Sequence, residues 1–312
     1  IEALEMGADT IVMAGGTGPC RFGYYAVVQK EILKDLGYFF DMVVLEPPQG
    51  HFMELVNKLS FLIKKENRSI KKITYAAKLA WQKALLLDEL DKKACEVRAK
   101  EINQGDTNKV YEKSIALIEK AETLDILEKV KLTINDLFEN IPKDEIRIVP
   151  KIGIMGEIYT VLEPFVNLII EKQLGEMGAY AYRSIYLTDW VRQNLFPGFL
   201  KPKDHEKFLD LAKPYINCFV GGHGQESVAQ AVKFSKEVFN GVIQLLPFTC
   251  MPEIVAKSVL PQVSRDYSIP LMTLVLDEHS GEAGVRTRLE AFVDLIKHKT
   301  EGEEFNEILL RN

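Results

Sequence analysis

A chain of 312 residues is long enough for about two domains, each able to bury its own core. Its 39 Lys and Arg and 45 Asp and Glu give a net charge of −6, which excludes a general surface for nucleic acids or anionic membranes. The sequence contains neither an apolar run long enough to cross a bilayer nor a recognisable signal peptide. Its four cysteines are too far apart for a secreted disulfide framework, so we expect a cytoplasmic protein.

The first 50 residues have the pattern of an incomplete α/β domain. The residues before Gly7 have a pattern typical of a helix that ends at this glycine. The apolar run Thr10–Met13 predicts a strand. A second buried strand is predicted over Phe39–Glu46. Because a helix that enters a parallel strand normally follows an earlier strand, we expect a strand–loop–helix unit upstream of residues 1–50.

A glycine-rich loop, Ala14–Gly23, separates the first strand from an amphipathic helix that is predicted from about Tyr24. Gly16 and Gly18 match the first two glycines of a dinucleotide loop, but Arg21 occupies the third position. Cys20 would lie at a helix N-terminus, which favours a thiolate. Such a thiolate could be a nucleophile, a redox thiol or a metal ligand; the alternative is a small apolar residue in a tight turn.

Residues 51–141 have a different character from the flanking regions. Apolar residues recur at helical spacing, and Gly105 is the only glycine in the interval. The pattern predicts several long helices with a hairpin near Gly105 and Asp106. Cys95 lies in this charged helical stretch, where we expect a structural role. We expect the region to be an insertion or cap, since helices with apolar stripes need a partner surface.

From residue 146 to 312 strands and helices alternate again, which predicts a doubly wound parallel sheet. The predicted strands are Ile146–Ile154, Ile216–Val220, Val242–Leu246 and Leu271–Leu276. The predicted helices lie at about 160–177, 204–213, 224–238, 252–265 and 285–298. Ligands of such sheets gather outside the carboxyl ends of the strands.

The loops at these strand ends contain the residues that could bind a ligand or take part in catalysis. Cys250 repeats the arrangement of Cys20, with a strand, a turn, a nearby proline and a helix, so we predict one site completed by both halves of the chain. Glu157 is predicted as an acid/base or as a helix cap, and His223 as a ligand or a cap. Cys218 lies in a strand pattern, which favours burial. Our candidates for cofactor contacts are Gly16, Gly18, Gly222 and His223.

Several motifs resemble the 2-hydroxyacyl-CoA dehydratase family, in particular its branch of acyl-CoA dehydratase activase-related proteins, which is related to the double-cubane cluster proteins. They are Gly15–Cys20, Gly153–Glu157, Pro247–Glu253, Asp277–Glu278 with Gly281 to Gly284, and Thr287–Phe292. The resemblance covers nearly the whole chain. It implies two Rossmann-like domains, a helical insertion and an oxygen-sensitive iron–sulfur cluster, 4Fe-4S or double-cubane. By motif, Cys20 and Cys250 match two of the three cysteines that commonly bind the cluster in relatives, where the first cysteine lies in a segment before the helix that begins this chain.

The resemblance also implies a function. The chain would receive low-potential electrons from an ATP-dependent activator and pass them to a substrate, with acyl-CoA dehydration as one outcome and Glu157 as the catalytic candidate. Because no G-x-x-x-x-G-K-[ST] motif occurs, we expect the activator to be a separate dimeric ATPase. We expect a homo- or heterodimer. The alternatives are a non-catalytic electron-transfer subunit and a cluster-free protein that binds a small molecule.

Overall fold

The computed structural model describes residues 1–16, 21–45, 69–194 and 205–311. It contains two compact units, which are Ile1–Ala76 with Val191–Pro202, and Ala77–Trp190 with Lys203–Asn312. All strand pairs within the described sheets are parallel, so the predicted α/β class is confirmed. None of the described helices is long and apolar enough to cross a membrane.

The first unit contains a two-stranded parallel sheet. Strand β1 covers Thr10–Ala14 and β2 covers Asp41–Leu45, and both match predicted strands. Helix α1 (Glu2–Glu5) precedes β1, and α2 (Phe22–Asp35) connects the two strands. Gly16 follows β1, whereas Gly18 and Cys20 lie outside the described residues.

The second unit begins with helices that form a bundle. These helices are α3 (Ile70–Lys100), of which residues 77–100 belong to this unit, α4 (Asp106–Lys120) and α5 (Leu124–Glu139). Their apolar stripes meet in a separate core, whose most deeply buried members include Leu90, Ala121, Ile134 and Phe138. The predicted helical region is therefore confirmed for its described part.

The predicted hairpin between α3 and α4 is confirmed. Gly105 adopts the left-handed conformation with φ of 98°, which glycine tolerates without steric cost. The buried Glu101 carboxylate accepts hydrogen bonds from the backbone amides of Gly105 and Thr107, both at 2.7 Å. These bonds satisfy amides at the start of α4 that have no partner within the helix.

A four-stranded parallel sheet forms the rest of the second unit. Its strands are β3 (Lys151–Gly156), β4 (Tyr180–Arg183), β5 (Gly241–Pro247) and β6 (Leu271–Leu276), in the spatial order β4-β3-β5-β6. The connecting helices are α6 (Ile158–Leu162), α7 (Ile170–Glu176), α8 (Leu187–Asn194), α9 (His205–Asp210), α10 (Gly224–Lys236) and α11 (Met251–Tyr267), and α12 (Glu282–Arg311) follows β6. Of α8, residues 187–190 belong to this unit.

Helices cover both faces of this sheet. One face packs against α6, α7 and α12, through buried residues such as Leu174, Leu289 and Val293. The other face packs against α10 and α11, through residues such as Phe234 and Leu260. A parallel sheet needs apolar cover on both faces, which explains why β5 is an almost continuous buried run.

The structure differs from the sequence prediction at three places in this part of the chain. Ile216–Val220 is not a strand, and Ile216 is instead buried in the core on the face that α10 and α11 cover. Strand β4 was not predicted, since its four residues carry a short and mixed pattern. The predicted helix over 160–177 is interrupted between α6 and α7, where Leu168 and Ile169 have positive φ of 58° and 52°.

Candidate functional site

The order of the four-stranded sheet reverses between β3 and β5. Strand β3 connects to β4 on one side, whereas β5 lies on its other side. Gly156, at the end of β3, is paired with Leu245 near the end of β5. Ligands of open parallel sheets bind outside the carboxyl ends of the strands at such a reversal. Glu157 and Cys250, both predicted site residues, follow these two strands.

Glu157 lies in a tight turn directly after β3. Gly156 has φ of 138°, and a Cβ there would lie 1.9 Å from the Leu245 carbonyl oxygen, so only glycine fits. The Glu157 amide donates to that same oxygen at 3.0 Å. One carboxylate oxygen of Glu157 accepts from the Thr160 amide and hydroxyl, both at 2.9 Å. Of the two predicted roles, the structure shows the helix cap.

Cys250 is the N-cap residue of α11, three residues after the end of β5. Its amide donates to the Pro247 carbonyl at 3.1 Å, and its carbonyl accepts from the Ile254 amide at 2.9 Å. Pro252 lies in the first turn of the helix, where a missing amide hydrogen has no cost. The predicted order of strand, turn, cysteine and helix is confirmed here, and Cys250 is partly exposed.

Glu253 lies in the first turn of α11 and is completely buried. One of its carboxylate oxygens accepts from the Ser227 hydroxyl of α10 at 2.9 Å. The other accepts from the Gln244 side-chain amide of β5, also at 2.9 Å. The carboxylate therefore joins a central strand and the two helices that cover one face of the sheet.

The protonation of Glu253 is set by its burial. Loss of hydration raises its pKa to about 7, although the hydrogen bonds from Gln244 and Ser227 act in the opposite direction. The negative charges of Glu157 and Glu226 raise the pKa further. The site thus contains an acid that changes protonation near neutral pH, beside the helix start that carries Cys250.

Glu253 lies in the motif Pro247–Glu253 but is not one of the site residues predicted from the sequence. An acidic residue in the first turn of a helix is normally explained by the helix dipole and by exposure to water. A usable signal was Gln244, a polar side chain in the middle of an apolar strand. A buried amide requires a polar partner, and Glu253 supplies it.

His223 and Gly222 lie at the start of α10, next to the start of α11. A Cβ on Gly224 would lie 2.4 Å from the Pro252 carbonyl oxygen, so the two helix starts are in close contact. His223 occupies the N-cap position, but its side chain makes no capping hydrogen bond. Its carbonyl oxygen accepts from the Ser227 amide at 2.7 Å. The structure thus brings His223, Cys250 and Glu253 to one edge of the sheet.

The other two described cysteines lie away from this edge. Cys95 is buried in α3, as expected for a structural cysteine, and its thiol donates to the Glu171 carboxylate at 3.6 Å. Burial raises its pKa well above the usual value. Cys218 is exposed, so its predicted burial is wrong. The strand that would have buried it does not form.

An iron–sulfur cluster commonly requires several thiolates. Within residues 1–16, 21–45, 69–194 and 205–311, no group of three or more His, Cys, Asp or Glu side chains could hold a metal ion. Cys250 fits one ligand position, because it is a partly exposed thiol at a helix N-terminus. The described residues alone do not complete a cluster site.

Comparisons with known proteins leave the family open. No protein-family profile matches the chain. No curated protein matches its sequence significantly. The fold and the strand-end site define the chain as an α/β protein with parallel sheets and a polar site where the strand order reverses.

Proposed function

We propose that this chain is an iron–sulfur protein that receives single electrons at low potential and passes them to a substrate. The observation that carries the proposal is the position of Cys250, at a helix start beside the reversal of the strand order. A cluster bound there would supply one-electron transfer, with a potential set by its surroundings. The motif resemblance assigns Cys20 as a further ligand.

The local environment of Cys250 supports a ligand role. Backbone amides at a helix N-terminus favour a thiolate, which is the form of cysteine that binds metals. Cys95, by contrast, is buried beside Glu171, and its pKa is raised. The proposal includes a second Rossmann-like domain to which residues 1–50 belong, with residues 51–141 as a helical insertion in the sequence.

Two acids of the strand-end site would serve the substrate reaction in this proposal. Glu157 caps α6 through Oε2, while its Oε1 forms no hydrogen bond with any described residue. That oxygen can accept or deliver a proton. Glu253 is not accessible to a substrate, but with a pKa of about 7 it can hold a proton within the site at neutral pH.

The partner in the proposal is a separate dimeric ATPase that carries its own cluster. Apolar side chains around Cys250 are exposed, namely Phe248, Met251 and Ile254. Exposed apolar groups of this kind mark protein contact surfaces, which supports docking close to the site. The proposed substrate class is an acyl-CoA thioester.

The test is the iron and sulfide content of protein purified without oxygen, combined with its EPR spectrum. Cys250→Ala should lose the cluster or bind it weakly, and Cys20→Ala should behave in the same way. Cys95→Ala and Cys218→Ala are the matched controls and should retain the wild-type iron content. Wild-type iron content in both Cys20→Ala and Cys250→Ala would contradict the proposal.

A further inference from the structure

A second site lies between the helical bundle and the segment that leads into α7. A cleft of about 220 Å³ opens there, and no residue from the carboxyl ends of β3 and β5 lines it. Its lining includes Asp91, Cys95, Arg98, Tyr111 and Glu171. The hydrogen bonds of these side chains show which donors and acceptors remain available to a ligand.

The two partly buried acids of the cleft, Asp91 and Glu171, already bind donors of the protein. Asp91 accepts from the Tyr111 hydroxyl at 2.8 Å and from an Arg183 Nη at 2.7 Å, with one oxygen each. Glu171 accepts from the other Arg183 Nη at 3.2 Å and from the Cys95 thiol at 3.6 Å, again with one oxygen each. Each carboxylate oxygen thus already has a donor within the protein.

Arg98 is the opposite case. The residue as a whole is 6% exposed, and its Nε donates to the Asn108 side-chain oxygen at 2.9 Å. Neither of its terminal Nη atoms has a hydrogen-bond acceptor or an ion-pair partner among the described residues. Both Nη groups therefore keep donors that a ligand or water in the cleft can use.

The position of Arg98 is determined by packing. A Cβ on Gly175 would lie 2.7 Å from Cδ and 2.9 Å from Cγ of Arg98, so the aliphatic stem of Arg98 rests directly on the glycine backbone. The guanidinium is therefore held at the cleft by its stem and by Asn108. Such preorganisation lowers the entropy cost of binding a ligand.

We propose that this cleft binds a small oxyanion, a carboxylate or a phosphate, through the two Nη groups of Arg98. Arginine presents these donors as a planar fork that matches both anions. The Lys172 ammonium also lines the cleft, and the Glu176 carboxylate at 4.0 Å offsets part of its positive charge. Glu112 is the remaining acid of the lining, and it is exposed, so water screens its charge.

The test is isothermal titration calorimetry of the 312-residue chain with sodium phosphate and with sodium malonate, each against sodium chloride at the same ionic strength. We expect at least one of the two anions to bind with a stoichiometry of one. Binding of phosphate alone or malonate alone identifies the anion class, and binding of both indicates general oxyanion recognition. Binding of neither above chloride would overturn the proposal.

Two variants test whether the anion binds at Arg98. Arg98→Gln should weaken binding by about tenfold or more, because a charge-assisted bidentate contact is lost. Arg286→Gln, on the exposed side of α12, is the control and should bind as the wild type does. Unchanged affinity in a folded Arg98→Gln variant would overturn the proposal. If that variant does not fold, anion binding is measured with Gly175→Ala, because its methyl group displaces the Arg98 side chain. Weaker binding by Gly175→Ala supports the proposal, and unchanged binding overturns it.

Discussion

Glu253 shows how burial and hydrogen bonding compete at a single residue. Two hydrogen bonds from neutral donors stabilise its charged form, but the loss of hydration in a completely buried position is the larger effect. The carboxyl group therefore keeps its proton up to a pH of about 7. Its ionisation must then reduce the stability of the folded protein.

This linkage predicts the pH dependence of stability. The unfolded carboxyl loses its proton near pH 4.5 and the folded one near 7, so between these values unfolding releases a proton. The stabilisation from Glu253 is complete below pH 4.5 and is lost as the pH rises through 7. From the pKa difference we expect the free energy of unfolding to fall by about 3 kcal/mol.

The measurement is urea unfolding at a series of pH values from 4 to 8. Glu253→Gln has no ionisable group at this position, so its unfolding free energy should lack this decrease, whatever its absolute value. Glu237→Gln is the control, because this exposed acid lies at the end of α10, and it should keep the wild-type slope. Parallel pH profiles for wild type and Glu253→Gln would contradict the expectation.

Thiol reactivity should separate two of the cysteines. Cys218 is exposed, whereas Cys95 is buried and has a raised pKa, so only a very small fraction of its thiol is ionised. We expect iodoacetamide at pH 8 to modify Cys218 at least about a hundredfold faster than Cys95. Peptide mass spectrometry at timed intervals gives both rates, and denatured protein is the control. Comparable rates in the folded protein would show that Cys95 is not buried.

At the scale of elements, the turn from β3 into α6 places the strand-end site. Gly156 combines a positive φ with a contact that leaves no room for a side chain, and the next residue already caps α6. The direction of the chain after β3 therefore depends on one backbone contact to β5. A larger residue must push the two strands apart or rebuild the turn.

Gly156→Ala should destabilise the protein by about 2–5 kcal/mol, because it adds overpacking to the cost of a left-handed backbone. Gly178→Ala is the matched control: Gly178 also has positive φ, of 76°, but nothing lies within 4 Å of its Cβ position. The control should cost only about 1–2 kcal/mol. Thermal and urea unfolding measure both variants, and equal losses would mean that the contact with Leu245 has no effect.

At the scale of the whole second unit, buried polar contacts join the helical bundle to the sheet. Arg183 of β4 forms ion pairs with Asp91 of α3 at 2.7 Å and with Glu171 of α7 at 3.2 Å. Asp88 of α3 accepts from the backbone and the hydroxyl of Thr188. Because the bundle also has a core of its own, these contacts determine how it is oriented on the sheet.

Arg183→Gln should cost about 3 kcal/mol of stability, because two largely buried carboxylates lose their counter-charge. Arg286→Gln removes an exposed pair with Glu290 one helical turn away and should cost less than about 0.5 kcal/mol. Urea unfolding compares the two variants under the same conditions. A similar small loss in both would show that Arg183 is not needed to join bundle and sheet.

Much of the element pattern was predictable from local sequence. The strands Val242–Leu246 and Leu271–Leu276 are apolar runs bounded by turn residues, and the structure places β5 and β6 there. The helix starts near Cys250 and Gly105 follow from local turn chemistry. Such features depend on residues close together in the chain, which is why sequence periodicity detects them.

The missed elements depend on distant neighbours. Ile216–Val220 has a strand pattern, but Ile216 packs in the core on one face of the sheet, while the short β4 forms by pairing with the edge of β3. The role of Glu253 likewise needs Ser227 and Gln244, which the chain brings together only through the crossovers of the sheet. The sequence alone determined the α/β class, the long helices and the placement of Glu157 and Cys250 shortly after strands. Tertiary structure decided strand order, burial and protonation, because these depend on residues far apart in the chain.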